Sequence, residues 1–325
     1  MTSKDFLTTS NFKIWSKIGM RAAFGLISIE ILKKDKNFFV ITGDVSTSAG
    51  LDRFRKNYPD NYLDVGIAEQ NLLGIAAGLA SEGHNVFTTT FAPFQTMRCC
   101  EQIKVNLGYM KQKVCMVGLA SGLVLGTLGY THCCIEDIGV LRSIPNLNIV
   151  SPADSGELAK ALIAAKENKN STYIRLTGSN NLNQIYTEDY DFSIGKSITL
   201  KEGKDLALIA TGSLVGEAIK CASLLNEDNI SCEVVNFHTI KPVDSKKIKE
   251  LSKKFKTIIT LEEHNIIGGL GSAVAEVLSR VSSPTQQLFL GVNDTYSEGG
   301  EYDYLLDKFS LNANRIYEKI KKLNI

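Results

Sequence analysis

The chain has 325 residues, 36 basic and 35 acidic, for a net charge of +1. That length predicts about two domains with enough apolar sequence for sizeable cores; the balanced charge, with no basic stripe or acidic tail, gives no support for binding nucleic acid or a membrane surface. No apolar run approaches bilayer length. The first residues place Lys4 and Asp5 ahead of a mixed amphipathic stretch rather than an apolar signal core, so the expected location is the cytoplasm.

Taken in chain order, strands and helices alternate, which predicts an α/β chain of two doubly wound, mostly parallel sheets. In the first unit, strands are expected at 38–42, 62–65, 86–90, 114–118, 148–150 and 173–176, and helices at 13–32, 68–81, 95–109 and 155–166. A Ser- and Asn-rich break at 178–183 and a charged connector follow. The second unit repeats the alternation, with strands at 206–210, 233–237, 257–261 and 287–291, and helices at 216–225, 244–255, 269–280 and 313–322. The division expected is 1–186, a linker at 187–204, and 205–325. The seven cysteines sit mostly in apolar stretches without any Cys-x-x-Cys pair, so they read as reduced core thiols, and no metal site is expected among this chain's residues.

One segment carries chemistry. Asp64-Val65-Gly66-Ile67-Ala68-Glu69-Gln70-Asn71 ends a short strand at a glycine and delivers one carboxylate to the start of an Ala- and Gly-rich helix. The next strand, Thr88-Thr89-Thr90-Phe91-Ala92-Pro93-Phe94, ends in a pair of phenylalanines. A carboxylate in an apolar cleft beside aromatic faces suits an ionisable flat heterocycle, whose ring stacks while the acid bonds a ring nitrogen. By itself such a glutamate reads better as a charge favoured by the helix dipole; the wider pattern decides against that.

This segment closely resembles that of the thiamine diphosphate enzymes of the transketolase family. The likeness continues, in order, through Arg98-Cys99-Cys100-Glu101-Gln102-Ile103, Gly129-Tyr130-Thr131-His132, Ile135-Glu136-Asp137 and Ser151-Pro152-Ala153-Asp154, as in the family's pyrimidine-binding domain. Ala210-Thr211-Gly212-Ser213, Thr239-Ile240-Lys241-Pro242 and Glu262-Glu263-His264, with Gly268, Gly269 and Gly271, resemble its C-terminal domain. The resemblance implies that Glu69 bonds the pyrimidine N1′ of thiamine diphosphate and tunes its proton, that Phe94 stacks on the aminopyrimidine, and that Phe91, Ile67 and Met97 line the ring. It places His132 at the cofactor's reactive end, making Glu69 and His132 the expected catalytic pair. The alternatives are core packing for the phenylalanines and a loop-satisfied histidine.

The family's diphosphate domain is marked by Gly-Asp-Gly, whereas the only Gly-Asp here is Gly43-Asp44, followed by Val45, which reads as a turn. The resemblance therefore implies a partner: a separate subunit supplying Mg²⁺ and diphosphate ligands, assembled with a self-associating dimer of this chain into a heterotetramer. The activity implied is transfer of a two-carbon ketol unit in carbohydrate metabolism. A 2-oxoacid dehydrogenase β subunit and a non-catalytic homologue are the alternatives. Ala120, Leu128 and Tyr130 replace a histidine, an aspartate and a proline of transketolases, and Thr177 stands near a phosphate-binding arginine that Arg175 could replace. These departures point to a specialised sugar with an apolar or bulky part near Leu128 and Tyr130.

Overall fold

The computed structural model describes residues 5–178 and 184–323; most of the predicted break at 178–183 lies outside them. Two sheets form. The first contains β1 (Phe38–Thr42), β2 (Tyr62–Asp64), β3 (Asn85–Phe91), β4 (Val114–Leu119), β5 (Leu147–Val150) and β6 (Ser171–Arg175). The second contains β7 (Ile198–Lys201), β8 (Leu206–Ala210), β9 (Cys232–Asn236), β11 (Thr257–Asn265) and β12 (Gln286–Val292). One short strand, β10 (Thr239–Lys241), comes from the second half of the chain but pairs antiparallel with β5, so it closes an edge of the first sheet. The orders are β2-β1-β3-β4-β6-β5-β10 and β7-β9-β8-β11-β12, and all pairings are parallel except those of β10 and β7.

The central strands, such as β4 and β8, are apolar runs buried on both faces, as expected where helices cover both sides. Within the region expected as a linker, β7 pairs with β9; just before that region, Asp154 accepts the backbone N–H groups of Ile185 (2.7 Å) and Tyr186 (2.8 Å), docking the approach to the connector on the first unit.

Two helices depart from their predicted form. The helix Thr9–Lys34 is kinked at Gly19, which adopts φ 76°, and its Gly25 packs against the Gly50 carbonyl with no room for a side chain. The single helix expected at 95–109 is instead Ala92–Thr96, Cys100–Gln102 and a wide turn, Ile103–Tyr109. The Gly108 carbonyl there accepts from Asn146 Nδ2 (3.0 Å), and a Cβ at Gly108 would meet Ile144 Cγ2 at 2.7 Å, so packing on the loop before β5 sets the geometry.

Candidate functional site

The chain runs from β1 outward to β2 and then returns across β1 to β3, so the loops leaving β1 and β3 diverge at the carboxyl edge of the sheet. That is where open parallel sheets build their sites. Asp64 ties the ends of β1 and β2 together: its Oδ1 accepts from the N–H groups of Asp44 (2.9 Å) and Gly66 (3.0 Å). Gly66, at φ 71°, makes the turn that a side chain would strain, and the helix Glu69–Ser81 starts three residues later. Glu69 is thereby held in the first helical turn with only 3% of its surface exposed.

β3 ends at Phe91, and the following turn brings Phe94 back beside it, 6.5 Å between ring centroids. Gln95 Nε2 donates to Thr88 Oγ1 (3.0 Å) and Thr96 Oγ1 to the Ala92 carbonyl (2.7 Å), locking that turn onto the strand. His132 arrives from the loop after β4. Its ring meets Phe94 edge-on at 5.4 Å and Phe91 at 6.3 Å, while Nδ1 shares a 3.0 Å hydrogen bond with Thr131 Oγ1. Three loops, far apart in sequence, thus place a carboxylate, two aromatic faces and an imidazole in one cleft.

A further residue, for which the sequence suggested no role, joins them. Arg98 Nη1 donates to Glu69 Oε2 at 2.7 Å, and its guanidinium carbon lies 4.1 Å over the Phe94 ring. Arg98 lies in the turn that follows Ala92–Thr96, four residues past Phe94, and that turn folds its side chain back over the ring. A planar cation thus bonds the acid and stacks on the aromatic at once. A flat, hydrogen-bonding heterocycle makes the same pair of contacts, so Glu69 and Phe94 fit an aminopyrimidine. Ile67 and Met97, expected to line the ring, are both exposed, as is Leu128, so all three offer apolar side chains to solvent.

Other expectations are corrected or filled in by the structure. Arg175 is not available to a phosphate: it is buried, its Nε pairs with Asp137 (3.0 and 2.8 Å), and its Nη2 donates to the carbonyls of Cys134 (3.2 Å) and Glu263 (2.7 Å). Burial opposes its charge, but Asp137 and its other neighbours outweigh that and hold it above its ordinary range. Thr177 Oγ1 accepts from Ser213 N (2.9 Å). A cation the sequence did not single out is Arg21, which lines a cavity of about 210 Å³ with Thr47, Ser48 and Gly50, on the loop after β1. Asp44, at φ 58°, is a turn residue. Around Gly268 and Gly269, Glu262 accepts from the N–H groups of Leu270 (2.6 Å) and Gly271 (2.8 Å), closing a helix N-terminus tightly against β11, and burial pushes its carboxyl up to about 7. All seven cysteines are free thiols; burial raises Cys133 to about 11 and Cys99 to about 12. Among the described residues, no cluster of three metal-ligating side chains forms, and no helix is long and apolar enough to cross a membrane.

Fold and cleft together define a two-sheet α/β protein with a carboxylate, two aromatic faces and an imidazole gathered at the carboxyl edge of its first sheet. The family description "Transketolase, pyrimidine binding domain" matches residues 16–182, and "Transketolase, C-terminal domain" matches residues 195–316. The chain belongs to the transketolase family. It is 38% identical to a putative transketolase C-terminal section of Methanocaldococcus jannaschii, over 94% of this chain and 97% of that one. It is 35% identical to the 6-deoxy-6-sulfo-D-fructose transketolase subunit SqwH of a Clostridium species, over 91% and 92%. A solved split gene transketolase, described as an inactive beta4 tetramer, superposes with a TM-score of 0.85 at 34% identity, covering 94% of this chain and 97% of that one.

Proposed function

We propose that this chain is the C-terminal subunit of a two-chain, thiamine diphosphate-dependent transketolase. It moves a two-carbon ketol unit between sugar-type substrates, in the cytoplasm. The observation that carries the reading is the buried Glu69 carboxylate set beside the Phe94 face, with a planar cation already making both contacts. Near full-length matches to a C-terminal section and to a transketolase subunit support a split enzyme. Residues 1–186 form the pyrimidine-binding unit and 205–325 the C-terminal unit, whose sheet also takes in β7 from the intervening 187–204.

When bound, the cofactor supplies the electron sink for carbon–carbon cleavage. Phe94 and Phe91 orient its ring, Ile67 and Met97 border it, and Glu69 holds the proton at the ring nitrogen. His132 exchanges a proton with a substrate oxygen. A separate subunit carrying Gly-Asp-Gly supplies Mg²⁺ and the diphosphate ligands, and two copies of each chain make the heterotetramer. The exposed apolar residues Ile67 and Met97 suit contact with that subunit at the border of the ring. With Arg175 committed to Asp137, a cation offered to an anionic sugar is Arg21, beside Thr47 and Ser48. Leu128 and Tyr130 favour a sugar with an apolar or bulky part over an ordinary pentose phosphate.

Reconstitution tests the reading. The isolated chain should bind thiamine diphosphate weakly with or without Mg²⁺, and turnover should require the second subunit. In the pair, E69Q should slow exchange of the cofactor C2 proton by ~10²–10⁴-fold. Micromolar binding and turnover by this chain alone would overturn the split assembly, and unchanged exchange in E69Q would remove Glu69 from its role.

A further inference from the structure

None of the cleft groups described above comes from the C-terminal unit, yet β11 is bonded to both ends of the loop that bears His132. We infer that Glu263 is a positioning residue for His132, acting from the C-terminal unit through the backbone of Leu123 and Gly122. This rests on the reading of His132 given above.

The Glu263 carboxylate is fully buried between the units. Its Oε1 accepts from Leu123 N at 2.7 Å; its Oε2 accepts from Ser213 Oγ at 2.6 Å and from Tyr302 OH at 2.7 Å. Burial pushes this carboxyl up, and the bonds from Ser213 and Leu123, with Arg175 nearby, work against that. Gly122, the residue before Leu123, exchanges both backbone hydrogen bonds with Cys134, at 2.8 and 2.9 Å, and Cys134 lies two residues past His132. Gly122 adopts φ 74°, and a Cβ there would run into the Glu263 carboxylate. On the far side of the loop, Arg175 Nη2 bridges the carbonyls of Cys134 and Glu263, and Asn265 N donates to the Ile135 carbonyl at 2.8 Å. The loop from Leu123 to Cys134 is therefore gripped at both ends by residues 263–265, and His132 sits two residues from one grip.

The chemistry of the bond sets a discriminating test. Leu123 N–H can only donate, so it needs an acceptor at the reach of a glutamate. The Ser213 and Tyr302 hydroxyls can donate or accept. E263Q can keep its oxygen on Leu123 N and turn its amide N–H groups to the hydroxyls, so it preserves the grip without the charge. E263D keeps a carboxylate but is one methylene short of Leu123. If Glu263 acts by position, E263D fails and E263Q succeeds; if it acts by charge, the order reverses.

The chain has four histidines, His84, His132, His238 and His264, which makes ring-labelled histidine NMR on the full chain practical. In E263D the His132 ring signals should shift or broaden while those of His84 and His238 hold, and in E263Q all but the adjacent His264 should match wild type. In the reconstituted pair, kcat should fall by roughly tenfold or more in E263D with cofactor affinity within about twofold, and E263Q should restore it. Unmoved His132 signals in E263D, or loss of kcat in a folded E263Q, would overturn the proposal; the E263Q arm stands even where E263D fails to fold. H132A separates the two layers: wild-type turnover in it would refute the catalytic reading of His132, while the His132 ring signals of E263D, which keeps that ring, still report whether Glu263 positions it.

Discussion

Removing Asp137 should cost this protein more than almost any other single change. Its carboxylate and the Arg175 guanidinium are both essentially inaccessible to water, and the Nε–Oδ2 separation is 2.8 Å. At an effective dielectric of about 20, that spacing gives roughly 6 kcal/mol of attraction. The Tyr173 hydroxyl also donates to Asp137 Oδ2 at 2.7 Å and loses its acceptor in the variant. In D137A the cation stays buried, held only by the Cys134 and Glu263 carbonyls, which recover part of the loss. The expected net destabilisation is about 3–5 kcal/mol, the range found when one partner of a buried pair is deleted. Trp15, the single tryptophan, is buried in the core of the first unit, so its fluorescence follows urea unfolding of the unit that contains both residues. The double variant D137L/R175M, which removes both charges, should be less destabilised than D137A. A loss below about 1 kcal/mol in D137A, or a double variant worse than the single, would refute the argument that an uncompensated charge dominates.

Two further outcomes follow from the cleft and the interdomain contacts. Arg98 makes both contacts expected of the ring, so R98A should raise the affinity of the isolated chain for thiamine, measured by calorimetry; equal or weaker binding would mean the guanidinium does not compete for that place. Burial pushes the Glu157 carboxyl up to about 7, where it accepts from Ala153 N, Asn236 Nδ2 and Tyr190 OH. The folded state therefore keeps a proton that the unfolded chain releases near 4.5, so this group's contribution is full below that value and fades as pH rises through 7. The stability of wild type relative to E157Q should accordingly decline between pH 5 and pH 8 in urea titrations, and a difference independent of pH would refute the assignment.

The sequence by itself determined whatever depends on neighbours along the chain. Apolar runs such as 206–210 and 114–118 mark strands buried on both faces. The order Gly66, Glu69, Phe91, Phe94 fixes which strand end delivers which group, because turn glycines and helix starts are local features. Short elements escaped notice: the helices Asp52–Asn57 and Asp137–Arg142 have six residues each, too few for a period to show. Tertiary structure alone decided the rest. It carried β10 across to the first sheet, where its partner β5 lies about 90 residues earlier, and it withdrew Arg175 from any ligand by surrounding it with Asp137, Cys134 and Glu263. It also laid Arg98 between Glu69 and Phe94 and set Glu263 beneath the His132 loop. Each of these depends on which buried charge or N–H meets which distant acceptor once water is excluded, and nothing in the local spacing of residues encodes that pairing.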